Sequence, residues 1–264
     1  MIYSEGRLLE RMLFQYFFEN GTKESCIRAV IAYQNDDGGF GNGIEPDLLN
    51  PSSSGIGAET ALYIIDILGF FEKSIITDVA RWLQNNVNVH GFIPTPPSDI
   101  MDYPHQSWWE NPDNERVLSV SGMLMKFGVK EMDNRIDKFA SQIQESSNIE
   151  FYSYPLFIYA VYNEGFKNRE KIIQHYISGF PRFLEENANH YPLFSRYWYH
   201  AIPFLPDDIV TKCAEEFISK IQDDGAVINP YPQFPWWRSI FTLDGLIILK
   251  RFGKFEGYKS RIIV

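Results

Sequence analysis

Cysteine is scarce in this chain: Cys26 and Cys213 are the only two among 264 residues. Neither belongs to a CxxC pair, which excludes a zinc knuckle or a disulfide scaffold. Both fall on helical stretches and are expected to be buried thiols in a reducing compartment. Positive charge is also in short supply, with 24 Lys and Arg against 34 Asp and Glu and a net charge of −10. The basic residues are scattered, so no stripe exists to displace counterions from a duplex or RNA, or to dock on anionic lipid. No nucleic-acid partner is expected.

Long apolar runs are missing too. The most apolar stretch, Ala61 to Phe71, is short and broken by Asp66, far from the roughly 20 residues of a membrane span. The N-terminus carries Glu5, Arg7, Glu10 and Arg11 between its apolar positions, the pattern of an amphipathic helix and not of a signal peptide. These absences lead to the expectation of a cytoplasmic protein with no integral membrane segment. Strand-like alternation is nearly absent. Gly38-Gly39 and Gly41 follow a helical segment, which excludes a phosphate cradle at the end of a strand. No Ser–His–Asp set or metal-ligand spacing stands out, so neither a metal nor another cofactor is expected.

Helical periodicity and aromatic rings are what the chain does contain. Leu8, Leu9, Met12, Leu13 and Phe17 form one stripe; Ala58, Ala61, Leu62, Ile65 and Leu68 a second; Val117, Val120, Met123, Leu124 and Phe127 a third. Further helices are expected at 22–34, 73–86, 131–145, 152–164, 168–178, 208–222 and 236–252. Gly69, Gly128, Gly165 and Gly253 sit where left-handed C-caps would stand. Aromatic residues make up 16% of the chain, enough to fill a thick core or line a cavity.

A repeat runs through this pattern. A polar helix ends in glutamine with small or acidic residues behind it, an irregular connector follows, and a more apolar helix begins. The fullest copy is Gln34-Asn35-Asp36-Asp37-Gly38-Gly39-Phe40. Gln84-Asn85-Asn86 with Gly91-Phe92 is a second, Gln144-Glu145 with Phe151-Tyr152 a third, and Gln222-Asp223-Asp224-Gly225 a fourth. Leu184-Glu185-Glu186-Asn187 with Tyr191 and Phe194 is a degenerate fifth. Repeats of about 35 to 60 residues signal stacked supersecondary units. The expectation is a chain of hairpins, each with a polar outer helix and a largely apolar inner one, closed into a ring or, as the rival arrangement, stacked as a solenoid with open ends.

The first copy resembles the Q-x-x-D-G-G-[WF] core shared by squalene and hopene cyclases, other class II terpene cyclases and the β subunits of protein prenyltransferases. That resemblance implies an all-α, α/α toroid: a single domain over residues 1–264 in which about six helical hairpins close into a ring. It also implies a central apolar cavity for an isoprenoid ligand. The family's catalytic signatures do not accompany the scaffold. Gln34-Asn35-Asp36-Asp37, Ile221-Gln222-Asp223-Asp224 and Leu205-Pro206-Asp207-Asp208 each lack the first Asp of D-x-D-D. No Asp pair continues as D-D-x-x-D, and the Asp, Cys and His zinc set is missing.

Three long connectors precede inner helices, and long irregular loops often carry function. The first, 41–55, holds Glu45 and Asp47, a paired acid suited to protonating an alkene or a glycosidic oxygen if an apolar wall raises its pKa. Their alternative role is to cap helices or tie the loop. Glu59, among apolar neighbours, is a further carboxylate whose alternative is a buried ion pair. The second connector, 91–114, has five prolines, His105 and the pair Trp108-Trp109. The third, 225–235, ends in Trp236-Trp237-Arg238. Indole faces suit cations, sugars or prenyl chains, and Arg238 suits a carboxylate or phosphate. Tyr154 and Trp198 add to the wall, with His105, Tyr152, Tyr197 and His200 as weaker members. The Trp residues are equally suited to sealing adjacent hairpins.

Three readings follow. The first is a metal-independent, terpene-cyclase-like enzyme acting on a small apolar ligand, with Glu45 or Asp47 as the acid. The second is a carbohydrate-active enzyme on a helical ring, and the third a non-catalytic ligand-binding protein.

Overall fold

The computed structural model describes residues 1–69, 72–145, 154–187 and 194–256. Among them are eleven α-helices: α1 (Ile2–Glu5), α2 (Leu8–Phe18), α3 (Lys23–Ile31), α4 (Gly55–Ile67), α5 (Lys73–Asn86), α6 (Arg116–Lys126), α7 (Asn134–Glu145), α8 (Tyr154–Tyr162), α9 (Arg169–Asn187), α10 (Asp207–Ser219) and α11 (Trp236–Arg251). The fold is all-α. The described residues contain no strand, only the isolated bridges Gln34↔Phe40 and Leu48↔His105. No described helix is long and apolar enough to cross a membrane.

From α3 to α9 amphipathic and buried helices alternate as the repeat predicts, whereas α10, also amphipathic, follows α9 directly. In α5 the apolar side chains recur at Ile75, Ile76, Val79, Trp82 and Leu83, and those residues are buried. In α10 the same spacing buries Val210, Cys213, Ala214, Phe217 and Ile218. The helices that follow the connectors are of another kind. Every residue of α4 is buried, as are Val117–Leu124 of α6, Tyr154–Ala160 of α8 and Ser239–Leu249 of α11. A helix apolar all round has no solvent face, so it must be enclosed.

The chain divides into two compact units, unit 1 comprising residues 1–29 and 177–264 and unit 2 comprising residues 30–176. In unit 2, α6 packs against both α4 and α8. The approach to α8 is so close that a Cβ at Gly122 would stand 2.8 Å from the Ile158 carbonyl oxygen. In unit 1, α11 packs against α1 and α2.

Three departures from the periodicity have local causes. The N-terminal helix is two helices, because Gly6 is extended and Glu10 reaches back to accept from the Arg7 amide at 3.0 Å, starting α2 afresh. The helix expected to stop at 178 runs on to Asn187 with Pro181 inside it. Phe180 and Phe183 stack edge-on against Trp198 at 4.8 and 4.9 Å, and that burial outweighs the lost backbone hydrogen bond. Finally, Gly69, Gly128 and Gly253 do adopt positive φ, but near Gly165 the left-handed residue is Asn168, just ahead of α9.

The repeat itself is a five-residue turn. Asn35 N–H donates to the Gly39 carbonyl and Gly38 N–H donates back to the Asn35 carbonyl. Asn88 with Gly91 and Phe92, and Gln222 with Gly225 and Ala226, form the same two bonds. The pivotal glycines have φ of 90°, 90° and 84°, a region costly for a side chain bearing Cβ. The register thus differs from the glutamine alignment: Asn35, Asn88 and Gln222 are equivalent, and Gln84 lies inside α5. The third and fifth copies extend into residues outside the described ones.

Candidate functional site

The first turn shows how the connectors are anchored. Asp37 Oδ1 accepts from Gly39 N–H and from Ser53 Oγ, each at 2.8 Å, and Asn35 Nδ2 donates to the Pro51 carbonyl at 2.9 Å. Asp37 is therefore a turn residue. Ser54 N–H donates to the Phe40 carbonyl, and the Ser54 hydroxyl accepts from Gly57 N–H at 3.1 Å, capping α4. Both ends of the first long connector are thus clamped.

Its middle is clamped by the second connector. Leu49 N–H donates to the Pro104 carbonyl and Gln106 N–H to the Asp47 carbonyl, each at 3.0 Å. Asn50 Nδ2 donates to Asp99 at 3.0 Å, which holds the Asp99 carboxyl below its usual range. The Trp109 indole N–H donates to Asp47 Oδ1 at 2.8 Å. Glu45 accepts from Thr60 Oγ1 at 3.0 Å. Glu45 and Asp47 are each 1% exposed. His105 bonds the Tyr103 carbonyl through Nδ1 at 2.7 Å and pairs with Glu110 at 3.4 Å.

Trp109 packs on a cluster of Leu48, Ile56 and Ile100. These side chains, with Pro96, Pro97 and Asp113, line a cleft whose free volume is about 10 Å³, at the threshold for one water. Trp108, by contrast, is 41% exposed.

Behind the cleft lies a buried ionic cluster. Arg116 Nη1 reaches both Glu59 oxygens at 3.1 and 3.0 Å, while its Nε donates to Asp113 at 2.8 Å. Tyr154 donates to Glu59 Oε1 at 2.6 Å, Ser119 donates to Oε2, and the Arg116 guanidinium lies 5.2 Å from the Tyr154 ring centroid. Burial opposes the charge on Arg116, but the Asp113 and Glu59 carboxylates hold its pKa well above the usual value. Burial raises Asp113 against the pull of Arg116. Burial raises Tyr154 too, and Glu59 adds to the effect although Arg116 opposes it.

Unit 1 holds the remaining expected residues. Trp237 stacks on Phe241 at 4.7 Å, with the Arg196 guanidinium 6.0 Å from its ring. Arg196 grips Asp244 through Nε at 2.7 Å and Nη2 at 3.3 Å. Burial pushes Asp244 up in spite of Arg196. Glu10 is drawn down, because the charge and hydrogen bonds of Arg7 outweigh its burial. Trp198 and His200 are buried, and Trp236 is half-buried. Arg238 ties Glu5 (2.8 Å), Asp224 and Gln222 together, fastening the fourth turn. A separate groove of about 290 Å³ between α9 and α10 is lined by Pro181, Leu184, Ile209, Lys212, Cys213 and Glu216, none of them among the expected site residues. Cys26 and Cys213 are free and buried, and burial pushes both thiols up to about 11.

Within unit 2, Trp109 meets Asp47, while Glu45 bonds Thr60 and Tyr154 bonds Glu59. Trp198, Trp236, Trp237 and Arg238 belong to unit 1, and Tyr152 lies outside the described residues. Asp113, Arg116, Arg196 and Asp244 were not anticipated. The i, i+3 spacing of Asp113 and Arg116 was a readable signal; the 48-residue separation of Arg196 and Asp244 offered none. Among the described residues no group of three His, Cys, Asp or Glu side chains is placed to hold a metal. No protein-family model, curated protein or solved structure matches the chain.

Proposed function

We propose that this protein takes a small, largely apolar ligand at the unit 2 cleft and acts on it with a carboxylic acid, on a scaffold whose hairpins close into an α/α toroid. The ring is supported by the alternation of amphipathic and fully buried helices and by the recurring turn at Gly38, Gly91 and Gly225. The ligand site is supported by one observation above others: Asp47 and Trp109, carried by separate long connectors, meet at 2.8 Å over a wall of Leu48, Ile56 and Ile100. An indole anchored by a carboxylate in an apolar setting suits an uncharged substrate such as an isoprenoid, with the proton supplied by a carboxyl of the connectors. The cleft has room for about one water, so a ligand enters only as Trp109 swings away from Asp47.

The experiment is titration of the full chain with farnesol, monitored through the Trp109 indole N–H resonance, which Trp109→Phe identifies. Binding is expected to move that resonance, and Trp109→Ala to change farnesol affinity about tenfold, a difference of about 1.4 kcal/mol. If the resonance stays fixed at saturating farnesol, the cleft is not the ligand site. One observation favours a second reading. Trp108 is 41% exposed on the same connector as the exposed Tyr103, and flat surface rings suit stacking on a carbohydrate. A response to cello-oligosaccharide in place of farnesol would select the carbohydrate-active reading, and binding without turnover in either case would select a ligand-binding protein.

A further inference from the structure

We infer that Asp113 is the side chain that presents a proton to the unit 2 cleft, for donation to an uncharged, acceptor-bearing group of the ligand. The inference rests on the cleft reading above and names the group that would do its chemistry.

The case begins with charge balance. Asp113 and Glu59 share one guanidinium, Arg116, whose own side chain is only 11% exposed. Two carboxylates and one arginine leave an excess negative charge, and an uncompensated buried charge is removed most cheaply by taking up a proton. Geometry then selects the carrier. Hydrogen bonds from Arg116, Tyr154 and Ser119 converge on Glu59. The Asp113 carboxylate accepts only from Arg116 Nε among the described residues. The other groups around Asp113 are its backbone amide's acceptor, Thr95 Oγ1 at 2.6 Å, and the cleft neighbours Asn111 and Trp109. Among the described residues no further charged side chain lines the cleft.

Access points the same way. Asp113 lines the cleft and its side chain keeps 23% of its area exposed. Glu45 and Asp47 are 1% exposed. In the transfer the Asp113 O–H bond breaks, its electron pair stays on the carboxylate, and a new bond to hydrogen forms on the ligand's acceptor atom. The carboxylate left behind is the form that Arg116 Nε stabilises, so the donor is prepared for both of its states.

The test is a ¹³C-carboxyl NMR titration of the full chain labelled at aspartate, with the Asp113 signal assigned by Asp113→Asn, or by Asp113→Glu should the first variant not fold. Asp113 is expected to remain protonated above the ordinary aspartate midpoint of about 3.9. Glu59→Gln, which removes one charge while keeping the shape, is expected to lower that midpoint by about half a unit or more. A midpoint at or below the ordinary value in the unaltered protein overturns the inference, as does a midpoint indifferent to Glu59→Gln. The titration uses no ligand, so its outcome is independent of the cleft reading. If Asp113 holds its proton while farnesol leaves the Trp109 indole unmoved, it is the ligand site that fails.

Discussion

Each unit buries an arginine against an acid on a largely buried helix, but the two clusters are balanced differently. In unit 1, Arg196 holds Asp244 and Arg7 holds Glu10, two cations for two anions. In unit 2, Arg116 alone serves Glu59 and Asp113. The first arrangement matches its charges, although burial still pushes Asp244 up. The second is one charge short, and it adjoins a cleft. Burial of a balanced set is a structural device, whereas a deficit leaves a group with a proton to give or a counter-charge to seek.

Removing the central cation separates the two most strongly. Arg116→Met strands two carboxylates and is expected to cost about 3–5 kcal/mol, with amide exchange accelerating in α4, α6 and α8. Arg196→Met strands Asp244 but leaves Glu10 with Arg7, so its loss in thermal unfolding is expected to be the smaller. Equal losses would erase the distinction in charge balance.

The turns offer the next contrast. A Cβ at Gly91 would stand 2.2 Å from the Arg135 carbonyl oxygen, whereas at Gly225 it would meet nothing within 4 Å. Gly225→Ala is expected to cost only its backbone strain, about 1–2 kcal/mol. Gly91→Ala is expected to cost more, because a backbone carbonyl must move as well. Comparable chemical denaturation midpoints for the two would mean that the α7 side of the Gly91 turn yields easily.

An effect of similar size is expected of Tyr154→Phe. It removes the hydroxyl that donates to Glu59 and accepts from Arg116 Nη1, at a cost of about 1–3 kcal/mol, and leaves the ring over Arg116 in place. An unchanged melting temperature would show that Arg116 and Ser119 satisfy Glu59 without it.

The pH response gives the finest test. Glu10 has its folded pKa below the unfolded one, so its stabilisation is present above about pH 4.3 and is lost as pH falls through the folded value. Asp113 has its folded pKa raised, so the stability it contributes is present below about pH 3.9 and is lost as pH rises through the folded value. Glu10→Gln should therefore lower the melting temperature at pH 7 and converge with the unaltered protein in acid. Asp113→Asn should diverge from it most above the Asp113 midpoint. Parallel curves for either variant would remove that residue's part in the comparison.

Much of the helical content was legible from periodicity alone. The α5 boundaries match the expected 73–86, and those of α6 and α11 fall within a residue or so of the apolar pattern. Where the reading slipped, tertiary packing had overridden a local signal: Phe180 and Phe183 carry α9 through Pro181, and Glu10 restarts the chain after Gly6. The candidate site is legible in the sequence to the extent that Glu45, Asp47 and Trp109 stand out as connector residues. Their mutual contacts are not, because pairing between loops 62 residues apart leaves no trace in local sequence.

What the sequence determined by itself was the class of structure: helices with one apolar side interspersed with helices apolar along most of their length, punctuated by glycines that only a left-handed turn requires. Those features depend on interactions within a few residues of each other. Tertiary structure decided which acid is enclosed by donors, which shares its arginine, and which faces an opening. Electrostatic environment is set by neighbours brought together in space, and the same aspartate is a turn residue at 37, a partner of an indole at 47 and a proton carrier in our reading at 113.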